Sequence, residues 1–196
     1  MKRNKILEKL KAETKKKESK HKKLVDKKWI VIIIIVSFLI SMVLSLLSEL
    51  LVPNFSLFLG IIVTICFIAL GILFDIIGVS VTAADSKIFH SMNSRKVRGA
   101  GIAVLFKKNS DKVSSFCCDV IGDICGVVSG ISAVAIAALV ASKYNVNLLL
   151  TSLIITAIIS ALTIGGKAMG KSFAINKSDI ILYEFSKFVS YFYKCK

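Results

Sequence analysis

The chain has 196 residues, 55% of them hydrophobic, a formal charge of +15 and a mean hydropathy of +0.76, well above that of soluble proteins. Thirteen of its 27 Lys and Arg residues precede Trp29, so the charge belongs to flanks and loops; without interleaved aromatics it excludes a nucleic-acid-binding groove. The five cysteines, Cys66, Cys117, Cys118, Cys125 and Cys195, contain no CxxC pair, which excludes a zinc knuckle and leaves them as small apolar fillers in a reducing compartment.

The pattern predicts an all-α membrane protein with four transmembrane helices and amphipathic cytoplasmic surface helices. Residues 1–28 form a basic arm with Ile6, Leu7 and Leu10 at helical spacing. The arm reads either as a solvated topology signal or as a surface helix on anionic lipid, where each cation adds about 1 kcal/mol. His21 reads as a surface residue and Trp29 as an interfacial anchor. The arm is too long for a signal peptide, and the first apolar run is followed by three more. An additional N-terminal span follows at 29–51, and "LVPNF", with the only proline, Pro53, predicts a tight turn.

The second span is predicted from about Phe55 to Ala84. In the next segment, Ile88, Phe89, Met92, Val97, Ile102, Val104, Leu105 and Phe106 recur among basic residues, predicting two short amphipathic helices, with Ser110 or Asp111 capping the third span. That span runs from about Ser114 to Ala141, "SKYNVN" makes a turn, and the fourth runs from about Leu148 to Met169. The tail at 180–196, "IILYEFSKFVSYFYKCK", predicts an interfacial helix. Seven cations lie between Asp85 and Val113 and six from Lys167 onward, whereas the two remaining turns share only Lys143. The positive-inside rule therefore places both termini in the cytoplasm, with the chain multi-pass in the cell (inner) membrane.

Three acids stand within the apolar spans: Asp75, Asp119 and Asp123. A charge inside a span costs a few kcal/mol on insertion scales, so each marks a candidate site. Asp119 and Asp123 are four residues apart and share a helix face, where two carboxylates repel unless something intervenes. A hard cation such as Mg²⁺ is one answer, with Ser80 and Thr82 adding oxygens. A shared proton is a second. Lys167, as an internal counter-ion, is a third. Gly122, Gly126 and Gly130, continued by Ser129, Ala133 and Ala137, form a small surface for close helix approach, and glycine permits a local bulge that turns carbonyls toward a cavity.

Three stretches carry a family resemblance. "VSVTAADSKIF" resembles the S-E-T-A segment, with Ser80, Thr82 and Ala83 in register; "RGAGIAVLFKKNSDKVSSFCCDVIGDICG" is similar to surface helices followed by an I-G-N-N stretch, matched at Ile121 and Gly122; "GKAMGKSFAINKSDII" resembles G-E-x-x-P-K-x-x-A, matched at Gly166, Lys171 and Ala174. Together they resemble the transmembrane domain of the CorB/CorC and cyclin M (CNNM) magnesium transporters. The resemblance implies a three-span core over 55–179, a homodimer in the lipid bilayer, and a cation site near Ser80, with Asp123 in place of the first Asn. Val81 stands where that family has Glu, Val127 near the position of a later Asn, Lys167 in place of another Glu and Gly170 in place of Pro; counterparts of the family's CBS and C-terminal domains are not included.

Two functions follow as expectations. One is divalent-cation transport, with Mg²⁺ held by Ser80, Asp119, Asp123 and Asp75. The other is a non-transporting member, a membrane scaffold or accessory subunit in which Lys167 pairs with Asp123 or Asp119. An enzyme is not expected, since no nucleophile, base and orienting group share a recognisable spacing.

Overall fold

In the computed structural model, which describes residues 27–51 and 57–192, every regular element is helical. The arm before Lys27, the Pro53 turn and the last four residues, including Cys195, lie outside the described residues, as do the expectations for Ile6, Leu7, Leu10 and His21. Helix α1 (Lys27–Leu51) exposes consecutive apolar side chains, Ile30, Val31 and Ile32 among them. A helix apolar on all sides has no water-facing stripe and suits a lipid solvent. The boundary between two compact units falls inside α1, after Phe38.

The second unit contains α2 (Leu57–Ala83), α3 (Ser86–Ser94), α4 (Ala100–Lys108), α5 (Ser110–Ser115), α6 (Asp123–Tyr144), α7 (Leu148–Asn176) and α8 (Ser178–Phe192). Together with α1, three further stretches, Leu57–Ala83, Ser110–Tyr144 and Leu148–Asn176, are long and apolar enough to cross a membrane. α2, α6 and α7 pack against one another. The inner seam of α2 is Gly60, Thr64, Ile68, Gly71, Asp75 and Gly78, spaced three or four apart so that one face meets its neighbours.

α5 and α6 belong to one continuous rod, joined by a π-helical stretch, Phe116–Gly122. The wider π turn holds Cys118 against α2, where its thiol donates to the Asp75 carbonyl at 3.6 Å. It ends at Gly122, whose backbone and that of Gly71 approach closely: a methyl at Gly71 would sit 3.4 Å from the Gly122 carbonyl oxygen. Close approach along the small-residue stripe is thus concentrated at Gly122 and at the buried Ser129, Ala133 and Ala137, while Gly126 and Gly130 have open space beside them.

Between α6 and α7 two asparagines make the turn. Asn145 takes the left-handed conformation (φ 52°) that ends α6, and the Asn147 side chain accepts from Leu149 N–H at the start of α7. α7 runs to Asn176, seven residues beyond the expected end at Met169, and α8 starts at Ser178 rather than Ile180. Backbone hydrogen bonding carries a helix on past the end of its hydrophobic stretch, so hydropathy alone places the boundary too early. The rod of the third span begins at Ser110, and its N-cap is Asn109, without a side-chain capping bond, rather than Ser110 or Asp111. The Asn109 amide instead donates back to the Leu105 carbonyl at 3.1 Å, closing α4.

The helices α3, α4 and α8 form a layer around the C-terminal end of α2. Val81, Ala84, Phe89, Ala103 and Leu182 make its buried core, and Phe106 stacks on Phe185 with ring centroids 5.6 Å apart. Two polar clamps hold α2 there. The Lys107 ammonium donates to the carbonyls of Thr82 at 2.7 Å and Val81 at 3.2 Å, satisfying orphan acceptors at the helix end. Asp179 accepts from the Asp85 N–H at 2.8 Å, while Asp85 itself caps α3 through Lys87 N–H.

Gly99 links α4 to α8. Its φ of 86° disfavours a side chain, and an added methyl would lie 3.0 Å from the Lys187 α-carbon. Gly99→Ala is therefore expected to cost about 1–3 kcal/mol, read as a lower melting temperature in micelles; an unchanged melting curve would disprove this tight contact.

Candidate functional site

The geometry of the polar residues starts from α7. Gly166, Gly170 and Ala174 recur every four residues and turn a small surface toward α2. An added methyl at Gly166 would collide with Ile72, and one at Gly170 would lie 2.9 Å from Ile76. Ala174 is fully buried, and its carbonyl lies 3.5 Å from the Ser80 hydroxyl. Absence of side chains on this seam lets the backbones close up. The residues flanking it, Lys167 and Lys171, are four apart and share one face of α7.

Each lysine reaches a different helix. The Lys167 ammonium lies 3.2 Å from Asp123 Oδ1 on α6, and the Lys171 ammonium lies 3.6 Å from Asp75 Oδ2 on α2. The environments differ: the Asp75 side chain is 4% exposed and Lys171 53%, whereas Asp123 is 70% exposed and Lys167 20%. In each pair, one charge is withdrawn and its partner approaches from an open side. Asp75 Oδ2 is buried and has no hydrogen-bond partner, so the Lys171 ammonium is its compensating group.

The expected carboxylate pair is not the organising feature. Asp119 and Asp123 are both exposed, and among the described residues Asp119 has no ion pair. Asp75, Asp119 and Asp123 do not converge: among the described residues, no three His, Cys, Asp or Glu side chains are grouped to hold a metal ion. Ser80 is buried on α2, donating to the Ile76 carbonyl at 2.7 Å as well as meeting Ala174. Thr82 donates to the Val79 carbonyl at 2.8 Å. Both hydroxyls are thus engaged with helix backbone.

Depth brings these groups together in a different sense. At a rise of about 1.5 Å per residue, Asp75 lies about 27 Å along α2 from Leu57, and Lys167 about 28 Å along α7 from Leu148. Asp123 lies about 30 Å from Lys143 at the far end of α6. One hydrocarbon thickness is about 30 Å, so each of these charges lies about one such length from the far end of its own helix.

Lys171 is the participant that charge spacing alone did not single out. A signal was present, since it stands one helical turn beyond Lys167, but nothing in the chain order says that Asp75, nearly a hundred residues away, is its neighbour. No protein-family model, curated protein or solved structure matches the chain.

Proposed function

We propose that this chain is an integral membrane protein of divalent-cation homeostasis, built like the CorB/CorC/CNNM transmembrane core, that acts as a non-transporting scaffold or accessory subunit. In this reading it is a homodimer in the inner membrane with both termini cytoplasmic. The observation that carries it is the pairing of the two α7 lysines with acids on two neighbouring helices, Lys167 with Asp123 and Lys171 with Asp75. An ammonium in such a place supplies the positive charge that a bound cation would bring, and it repels a second one. The lysines tie α7 to both α2 and α6, an arrangement suited to rigid assembly.

A second reading, Mg²⁺ transport through a site including Ser80, Asp75, Asp119 and Asp123, is favoured by a different observation. Lys171 is half exposed, and Asp75 Oδ2 has no hydrogen bond that would hold it in place. Withdrawal of this one ammonium would leave a buried carboxylate for a cation. Cation binding to the folded protein alone raises stability by mass action.

The readings part in a melting experiment on the purified full chain. The scaffold reading expects no shift up to millimolar Mg²⁺. It expects Asp123→Asn to cost about 0.5–1 kcal/mol, as a partly exposed pair would, and the exchange Asp123→Lys with Lys167→Asp to recover that loss. A dose-dependent Mg²⁺ stabilisation that disappears in Asp75→Asn would instead establish the transport site and reject the scaffold.

A further inference from the structure

The turn between α3 and α4, "SRKVRG", places Arg95, Lys96 and Arg98 close together, all exposed. Among the described residues none of these three side chains forms an ion pair. The backbone beneath them is closed on itself: Val97 N–H donates to the Met92 carbonyl at 3.1 Å, and Lys96 N–H to the Asn93 carbonyl at 2.9 Å. This double bond pattern ends a helix and places one residue in the left-handed region, where glycine is the residue without steric cost. Here that residue is Lys96, at φ 54°. The chain accepts backbone strain at this point and presents a third cation there, and strained positions gather at ligand-binding sites.

A fourth cation stands beside the turn. Gly99, next to Arg98, packs against the Lys187 backbone of α8, and the Lys187 side chain is 52% exposed, with Glu184 3.7 Å away as its acid neighbour on the same helix. Phe188 and Tyr191, farther along α8, are large, apolar-bodied and exposed. Cations beside exposed aromatics match the chemistry of a membrane interface, where phosphates lie above the acyl chains.

We propose that the α3–α4 turn and the C-terminal half of α8 form a binding site for the headgroup of an anionic phospholipid in the adjoining leaflet. Arg95, Lys96, Arg98 and Lys187 meet its phosphate and negative headgroup, and Phe188 and Tyr191 contact the glycerol and upper acyl region. A soluble phosphate would use the cations alone; the aromatics give the lipid its advantage. The site is independent of the charges on α7.

The test uses the full chain in vesicles carrying photoreactive phosphatidylglycerol or its phosphatidylcholine analogue, with crosslinks mapped by mass spectrometry. Phosphatidylglycerol is expected to label residues 95–98 and 187–191 at least about fivefold over phosphatidylcholine, a ratio matching about one surface cation's attraction. R95Q/K96G/R98Q should reduce that labelling about fivefold, to the level of the phosphatidylcholine analogue, while labelling of the N-terminal arm persists as an internal reference. Glycine at position 96 suits the turn, so the variant should melt no lower than the parent in phosphatidylcholine alone. Equal labelling by the two lipids, undiminished labelling in the variant, or full competition by millimolar inorganic phosphate would each overturn the site. So would a lower melting temperature of the variant in phosphatidylcholine, since the triad would then be supporting the fold.

Discussion

Phe89→Ala is expected to loosen the whole layer of α3, α4 and α8, at a cost of about 3–5 kcal/mol for emptying a buried aromatic position. Phe89 is fully buried although it lies on a nine-residue helix rich in polar residues. Its ring packs with Val81 and Ala84 from the end of α2, Ala103 from α4 and Leu182 from α8. These neighbours come from three separate segments, so no single one can move to fill the gap. Hydrogen exchange should then rise together in α3, α4 and α8 while the apolar middle of α2 stays protected. Loss of protection in α3 alone would show that the layer is not one cooperative unit. Phe89→Leu, which keeps most of the volume, should recover much of the loss.

Lys171→Met should destabilise the three-span bundle by about 2–4 kcal/mol, because it strands Asp75 without its one ion-pair partner among the described residues. The value reaches below the range of about 3–5 kcal/mol for broken buried pairs since Lys171 is itself half exposed. The effect is asymmetric. Asp75→Asn should be milder: it removes the buried charge and leaves an ammonium on a half-exposed side chain. In the double variant the cost of Lys171→Met should largely vanish, as the charge it strands no longer exists. Melting of the four proteins in the same micelles gives the coupling between the two positions. Strict additivity of the two substitutions would mean that the 3.6 Å contact contributes nothing.

The two effects differ in how legible their causes are in the chain. Phe89 stands in a stretch whose apolar residues recur among cations, so an amphipathic helix was readable there. Its complete burial was not readable, because burial depends on α8 returning from more than ninety residues away to cover it. The acids were equally visible as anomalies in apolar runs. Spacing along one helix does not give their pairing; of the three alternatives, Lys167 as a counter-ion is the one that meets Asp123. Asp119 and Asp123 share a face as spacing requires, yet that face is exposed, and the relevant neighbour of Asp123 comes from α7. The π-helical stretch adds a second reason, since it changes the phase of everything after Phe116 relative to an ideal helix. Gly122 marks its end; glycine in the sequence showed only that such a bulge was permitted.

The sequence by itself determined that there are four apolar segments of spanning length, that cations gather in three of the connecting and terminal regions, and that the segments are helical. The reason is that a bilayer acts on each segment separately: without water every backbone group must be satisfied locally, and length and hydropathy decide whether a segment spans. Only the tertiary structure decided which carboxylate meets which ammonium and which of the glycines lie in a contact. Those outcomes depend on helix rotation and neighbour choice, and each ion pair is a coincidence of two faces that local sequence specifies one at a time.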